Sequence, residues 1–482
     1  MFETGVRQLR LGMAMVWGKP TSPKVLTRLI DDALATLAEF GEPGSDVAQM
    51  VDGPFADPAV RRDFTQRALR RTAARLERLS PFYAQRFAAA AIEPRRLTVE
   101  AVRTVAPTRK ADLVARPADF LCAGSVPAIS TRTTGSTGAP VEIWMSRYEA
   151  DVWPAFAALA GLLRDEIRPG DVMQVCISSR ATAAVQQDVA VCRHARARAD
   201  VVGLVPVDEA LDRLAGGPTL LGTYPSYLAQ LVDRARQRGM PAADFRLRRI
   251  DVGGEVLSPA LAAAARDTFG CAVNDIFGMT EVLPVSGRSC NLGHMHHDLN
   301  TGYVEVLSLD SDEPAGPGEL GRVVITPYYP YRECMPVFRY DTRDLVRVLP
   351  DGPLECDLAG SPATSAILGK AEWLPRGEES GPAMTARNVT TRDLVEALES
   401  LPTRPWPARF RVEPGTDGGP MTLRLPESTV EGIGVDGVAR RLADRGLDLR
   451  IALAPDAEAR TLRRVRADLV ESTFTALVRQ ES

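Results

Sequence analysis

With 482 residues the chain is too long for one compact core, so a large domain and a smaller one are expected. It is 45% hydrophobic and 25% charged, the balance of an ordinary globular protein, and a formal net charge of −4 offers no electrostatic case for nucleic acid. No secretory h-region and no apolar run of about 18 residues occurs, which argues against export or a membrane span; the cytoplasm is the expected compartment, and the seven cysteines are expected to be reduced.

From Met1 to about Asp57 the chain reads as helical, with Val25, Leu26, Leu29, Ile30, Ala33, Leu34 and Leu37 at a 3.6-residue period. This extension could add a packing layer, an oligomer contact or a partner surface. An Arg-rich amphipathic helix is predicted from Pro58 to Leu79, ending at Ser80-Pro81-Phe82-Tyr83. In Pro107 to Leu113, Thr108 can cap a helix and Lys110 falls in its first turn, a structural placement. Next comes the loop Thr133-Thr134-Gly135-Ser136-Thr137-Gly138-Ala139-Pro140, between a strand end and the mostly apolar run Val141 to Met145. Glycines free to take positive φ, hydroxyls and successive backbone N–H groups make such a loop a nest for a phosphate chain, although it lacks a Walker ending.

Beyond the loop, helix is predicted from Glu149 to Leu163 and from Ala184 to Ala199. Strands are predicted at Asp171 to Ile177, Val201 to Val207 and Thr219 to Thr223, the last running into a helix start at Tyr224-Pro225-Ser226. Alternation of this kind predicts an α/β fold with a doubly wound, mostly parallel sheet, whose ligands gather at the carboxyl ends of the strands. A Gly/Pro-rich stretch from Pro350 to Ser380 precedes an α-β-β-α-β tail: helix at Thr391 to Leu401, strands at Arg409 to Val412 and Met421 to Leu425, helix at Val435 to Arg445, and strand at Leu449 to Leu453. The predicted domains are therefore residues 1–57, a core at 58–368 and a small α+β lid at 369–482, hinged near Leu368-Gly369-Lys370.

Four motifs in order then resemble those of the adenylate-forming superfamily of acyl-CoA ligases, and most closely its phenylacetate-CoA ligase-like branch. They are the Thr133 to Gly138 loop, Asp251-Val252-Gly253-Gly254-Glu255, Asp275-Ile276-Phe277-Gly278-Met279-Thr280-Glu281, and Phe338-Arg339-Tyr340-Asp341-Thr342-Arg343-Asp344-Leu345. The resemblance runs from about Pro81 to the C-terminus. It implies that Thr133, Thr134, Gly135, Ser136, Thr137 and Gly138 cradle the triphosphate of ATP, that Thr280 lies by the α-phosphate, and that Glu281 holds Mg²⁺ through oxygen. It further implies that Gly254, Glu255, Phe277 and Gly278 line the adenine, and that Asp344 accepts from both ribose hydroxyls. Tyr224 and Ser226 are candidates for the acid pocket.

The departures are as informative. Gly138-Ala139-Pro140 stands where Gly-Lys-Pro is common, Lys370 replaces an arginine after the hinge glycine, and Asp341 reverses the charge of the arginine usual in Tyr-Arg-Thr-Gly-Asp. The tail has no lysine: the family's Gly-Lys-Ala-x-Arg-Val falls on Arg460 to Val465, with Thr461 in the lysine's place, leaving Arg460 or Arg463 to substitute. Losing one such stabiliser typically costs roughly 10² to 10³ in rate. Some relatives carry structural zinc on a Cys-x5-His and Cys-x-Cys set; Cys290, His296 and Cys356 match three positions, with Cys334, His294 or Asp357 to complete a tetrahedron.

The implied function is ATP- and Mg²⁺-dependent activation of an aromatic or related small carboxylic acid, followed by transfer to coenzyme A. The alternatives are transfer to an amine, hydroxyl or carrier thiol in secondary metabolism, or a degenerate homologue that serves as a binding module. Expected partners are the acid and its acyl acceptor, with neither nucleic acid nor membrane; a homodimer is the candidate assembly.

Overall fold

The computed structural model describes residues 19–41, 57–133, 140–179, 181–352, 354–371, 389–403, 406–413, 422–447 and 449–455. The expectations for Thr134 to Gly138 and for Arg460 to Arg463 lie outside these residues. The fold is mixed α/β, and its largest sheet has eight strands with parallel and antiparallel pairs. Two units are present: residues 1–175, 179–201 and 276–366 in one, and 176–178, 202–275 and 367–482 in the other. Among the described residues no helix is long and apolar enough to cross a membrane.

In the first unit the helix Pro23–Phe40 buries Leu26, Leu29, Ile30 and Leu34, the apolar stripe of the predicted period, against the helix Arg147–Leu163. The helix Pro58–Leu79 has its predicted bounds. Its N-cap Asp57 accepts from Ala59 N at 2.8 Å, Pro58 sits at N1, and Ser80 ends it. Ser-Pro-Phe-Tyr then opens the helix Pro81–Ala89, whose Phe82 stacks on Phe120 at 4.1 Å and whose Phe87 meets Phe338 edge-on at 5.3 Å.

Thr108 does not cap the next helix. Arg109 is the N-cap of Lys110–Ala115, with Asp112 accepting from Arg109 N at 2.9 Å. Thr108 is drawn elsewhere: its backbone bridges Tyr340 in parallel, and its hydroxyl, buried beside Tyr83, donates to Phe338 O at 2.7 Å.

Parallel pairing joins Val172–Cys176 to Arg198–Val201 across the helix Thr182–His194. The strand predicted at Val201 to Val207 instead ends at Val201. Gly203 turns at φ 74, and Pro206 caps a helix, Val207–Ala215, with Asp208 and Glu209 in its first turn. The rest of this unit's sheets is antiparallel: Pro127–Arg132 with Glu142–Ser146; Gly302–Ser308, Leu320–Pro327 and Tyr340–Arg347 in sequence; and the end of Ala272–Gly278 with Ser286–Ser289, then Met295–His297 and Ala363–Thr364.

In the second unit Leu220–Thr223 pairs in parallel with Arg249–Gly253, and the helices Val207–Ala215, Pro225–Gln237 and Pro259–Phe269 close a core around Leu211, Leu221, Leu228, Val232, Ile250 and Phe269. The tail has the predicted order: helix Thr391–Glu399, strands Arg411–Glu413 and Thr422–Pro426 antiparallel, helix Gly434–Ala443, and strand Arg450–Ala454 parallel to Thr422–Pro426. Its core of Leu394, Leu398, Leu423, Leu425, Val438 and Leu442 also takes in Val256. Arg392 reinforces that contact by donating to Leu257 O at 2.9 Å and pairing with Asp275 at 3.6 Å, and the Arg236 guanidinium lies 5.1 Å over Trp406.

Candidate functional site

The first unit brings Glu281, Tyr340, Asp341 and Asp344 together. Strand Tyr340–Arg347 pairs with Leu320–Pro327 in one register from Leu320↔Arg347 to Arg322↔Leu345, and in another from Val324↔Asp341, so Thr342, Arg343 and Asp344 stand opposite Val323 alone. Such a bulge re-aims the side chains it carries. Arg343 adopts φ 62, the left-handed region. Thr342 Oγ1 donates to Val323 O at 2.8 Å and accepts from Asp344 N at 3.1 Å, while Asp341 Oδ1 accepts from Arg343 N at 3.1 Å. Glu281 sits in the 3₁₀ turn Thr280–Val282, which follows the strand Ala272–Gly278.

The Tyr340 hydroxyl donates to Glu281 Oε1 at 3.4 Å. Its pKa is raised well above the ordinary phenol value, first by burial and then by the carboxylates of Glu281, Asp341 and Asp344. All three of those acids are buried. A buried group of carboxylates around a neutral phenol is suited to a hard cation and to polyol hydroxyls.

Phe277 packs edge-on against the His297 ring at 5.8 Å. His297 is buried, and its pKa is pushed down to about 4 by burial and by neighbouring His296, so the ring is neutral at pH 7. A Cβ at Gly278 would meet nothing within 4 Å, so crowding does not impose glycine there. Thr133, at the neck of the expected phosphate loop, is described: its N–H donates to Val141 O at 2.9 Å and its hydroxyl accepts from Val141 N at 3.0 Å, closing the loop's base.

In the second unit Glu255 accepts from Ser226 N at 2.8 Å and from Ser226 Oγ at 3.0 Å. The adjoining Gly254 has φ 78, and Tyr224 is the N-cap of Pro225–Gln237. Ser226 is buried with its hydroxyl engaged by Glu255, a use that sequence reading did not foresee. Lys370 lies half-buried on the short strand Gly369–Lys370. Gly369 has φ 128, and a Cβ there would approach Thr391 Oγ1 to 2.7 Å, so only glycine fits this turn. Arg463 lies outside the described residues.

A second site in the first unit gathers Cys290, His294, His296 and Cys356, whose ligand atoms all lie within 4.8 Å of one another. Cys290 N donates to His294 O at 3.0 Å across a tight turn, and Asn291 N donates to Asp357 Oδ1 at 3.1 Å, holding the two loops together. His296 Nδ1 lies 3.1 Å from Ser361 O, which leaves Nε2, 3.4 Å from Cys356 Sγ, as the free donor atom. His294 Nδ1 is buried without a hydrogen-bond partner. Two thiols and two imidazoles, one of them with an orphaned ring nitrogen, fit a tetrahedral zinc.

Cys334 is not in this group. It is buried elsewhere, where its backbone N–H donates to Glu149 Oε1 at 3.2 Å and burial pushes its thiol up to about 12; His294 stands in its place. Two further residues escape sequence reasoning: Arg322, for which no sequence signal exists, and Tyr340, which lies inside a recognised motif without a role assigned to it there.

Residues 122–328 match the family model described as AMP-binding enzyme. Phenylacetate-coenzyme A ligase of Pseudomonas putida is 28% identical over 141 residues, 28% of this chain and 30% of that protein. The enzyme of the same name from Aromatoleum evansii is 30% identical over 136 residues, again 28% of this chain and 30% of that protein. The matched stretch thus spans 30% of the length of these curated relatives. Among solved structures, 2-hydroxyisobutyryl-CoA ligase in the postadenylation state with 2-HIB-AMP superposes at a TM-score of 0.69 and 21% identity, covering 88% of this chain and 93% of that one, a likeness of fold.

Proposed function

We propose that the chain is a member of the adenylate-forming superfamily, on its phenylacetate-CoA ligase-like branch, and that it activates an aromatic or related small carboxylic acid with ATP and passes the acyl group to coenzyme A. The observation that carries this reading is the buried cluster of Glu281, Tyr340 and Asp344, where two family motifs meet through a hydrogen bond.

In this reading the acid's carboxylate oxygen attacks the α-phosphorus and pyrophosphate leaves; the thiol of coenzyme A then attacks the acyl carbon and AMP leaves. Asp344 accepts from the ribose hydroxyls, and Gly254, Glu255, Phe277 and Gly278 line the adenine. The Thr133 to Gly138 loop holds the triphosphate, with Thr280 by the α-phosphate. Tyr224 borders the acid pocket. Glu281 is the residue that would hold Mg²⁺, which when bound neutralises phosphate charge. Lys370 and Arg463 are the cations offered to the charge that develops as the anhydride forms. Residues 1–57, 58–368 and 369–482 are the domains of this reading, and the cytoplasm its compartment.

We also propose that Cys290, His294, His296 and Cys356 hold a structural zinc, on the strength of the donor set and the unpartnered His294 nitrogen. The experiment for the main reading is acid-dependent pyrophosphate release from ATP and Mg²⁺, measured with and without coenzyme A. Release stimulated by coenzyme A supports the thioester ligase. Release with one acid that is indifferent to coenzyme A favours another acceptor, and silence across aryl, arylacetic and short aliphatic acids would favour a non-catalytic homologue.

A further inference from the structure

We propose that the buried Arg322–Asp341 ion pair is the positioning element for Asp344, acting through the bulge that carries it. The inference rests on the reading of Asp344 as the ribose-gripping carboxylate. Asp341 is the residue whose charge is reversed relative to the resembling motif, and the structure supplies its counterion. Arg322, on the neighbouring strand Leu320–Pro327, bonds Asp341 Oδ2 through Nη1, and the two side chains are 5% and 2% exposed. Two charges this deeply buried are tolerated only when each is paired and fully hydrogen-bonded.

Both are. Arg322 Nε donates to Ser308 O at 3.0 Å, and Nη2 donates to Ser311 O at 2.8 Å and bonds Asp312. Asp341 uses its other oxygen, Oδ1, to accept from Arg343 N at 3.1 Å. That amide belongs to the residue at φ 62, a conformation that is strained for a side-chain-bearing residue and persists only where its surroundings enforce it.

These bonds follow one another along the strand. Arg322 fixes Asp341, Asp341 holds the Arg343 amide, and Thr342, bonded to Val323 O, accepts from Asp344 N at 3.1 Å. With its oxygens engaged in this way, Asp341 is a positioning residue. Its pairing with Arg322 depends on the strand register, because Arg322 stands opposite Leu345 and Val324 opposite Asp341, on the two sides of the bulge.

The test uses a readout that a loss of stability alone would not move: the ratio of KM for 3′-deoxy-ATP to KM for ATP in pyrophosphate release, which reports engagement of the ribose hydroxyl. The variants are Asp344→Ala, Asp341→Asn, Arg322→Met and the double Arg322→Met/Asp341→Asn. Arg322→Met strands the buried Asp341 carboxylate, so Asp341→Asn and the double variant, which removes both charges, carry the test where the Arg322 single variant does not fold.

We expect Asp344→Ala to bring the ratio to about 1 and each of the other single variants to lower it several-fold. The double variant should be no worse than the worse single one, as residues acting as one unit behave. If Asp344→Ala leaves the ratio unchanged, the ribose reading itself fails. If Asp344→Ala collapses the ratio while Asp341→Asn and Arg322→Met leave it at the wild-type value, or if their effects multiply, the positioning proposal is overturned and the ribose reading stands.

Discussion

Tyr340 donates its hydroxyl hydrogen to Glu281 Oε1 at 3.4 Å, joining the strand that carries Asp344 to the turn that follows Phe277 and Gly278. Two motifs separated by about sixty residues in sequence thus share one buried point, and the phenol stays protonated because burial and three nearby acids oppose its ionisation. Replacing Tyr340 with Phe removes one orienting hydrogen bond to a carboxylate, a contribution of about 1.5 kcal/mol at the low end for charged partners. The expected outcome is a roughly tenfold rise in the Mg²⁺ concentration needed for half-maximal pyrophosphate release, with the fold intact by circular dichroism. An unchanged Mg²⁺ titration would detach Tyr340 from the Mg²⁺-binding role proposed for Glu281.

Ser226 presents both its amide and its hydroxyl to Glu255, so Ser226→Ala keeps one bond and loses the other. The expected effect is a loss of about 1–2 kcal/mol in unfolding free energy together with a raised KM for ATP. A change confined to KM for the acid would instead return Ser226 to the acid pocket where sequence reading puts it.

Asp275 is buried against Arg392, and burial outweighs the guanidinium, so its carboxyl pKa is raised from 3.8 to about 6. For an acid whose folded pKa lies above its unfolded value, the protonated form stabilises the fold; the contribution is full below about pH 4 and is lost as pH rises through about 6. Asp275→Asn should therefore flatten the fall in melting temperature between pH 4 and pH 7, and at pH 7.5 it should be no less stable than the wild type. A variant strongly destabilised at pH 7.5 and not at pH 4 would reverse the sign and show that attraction to Arg392 outweighs the cost of burying the carboxylate.

Purified protein is expected to contain about one equivalent of zinc, and Cys290→Ser or Cys356→Ser to lose it, since a tetrahedral site of this type needs all four ligands. Cys334→Ser should retain the metal. Metal analysis of the three variants checks this, and equal metal content in all of them would remove the site.

The helix Pro58–Leu79 is legible in the sequence because Asp57 and Pro58 mark its start and its apolar period is unbroken over several turns. The tail's α-β-β-α-β order is legible for the same reason, each element being bounded by turn residues. The run Val201 to Val207 misleads because its β-branched residues outweigh Pro206-Val207-Asp208-Glu209, a helix start whose proline caps and whose acids fill the first turn. Thr108 misleads because tertiary partners, Tyr83 and Phe338, claim a hydroxyl that local rules assign to a cap. At the Cys290, His294, His296 and Cys356 group, composition favours Cys334, whereas the tight turn Cys290 to His294 brings in an imidazole that spacing alone does not rank. Asp341 is visibly odd in the sequence, yet Arg322 is not findable there as its partner: strand register pairs them, and no local pattern encodes that register.

Whether Asp344 grips the nucleotide of an adenylating ligase is decided by pyrophosphate release from ATP and Mg²⁺, measured for the wild-type chain and for Asp344→Ala across aryl, arylacetic and short aliphatic acids. Release is expected with one class of acid, falling at least about 10²-fold in kcat/KM when Asp344 is removed. Acid-dependent release that is equally fast without Asp344 would contradict that role.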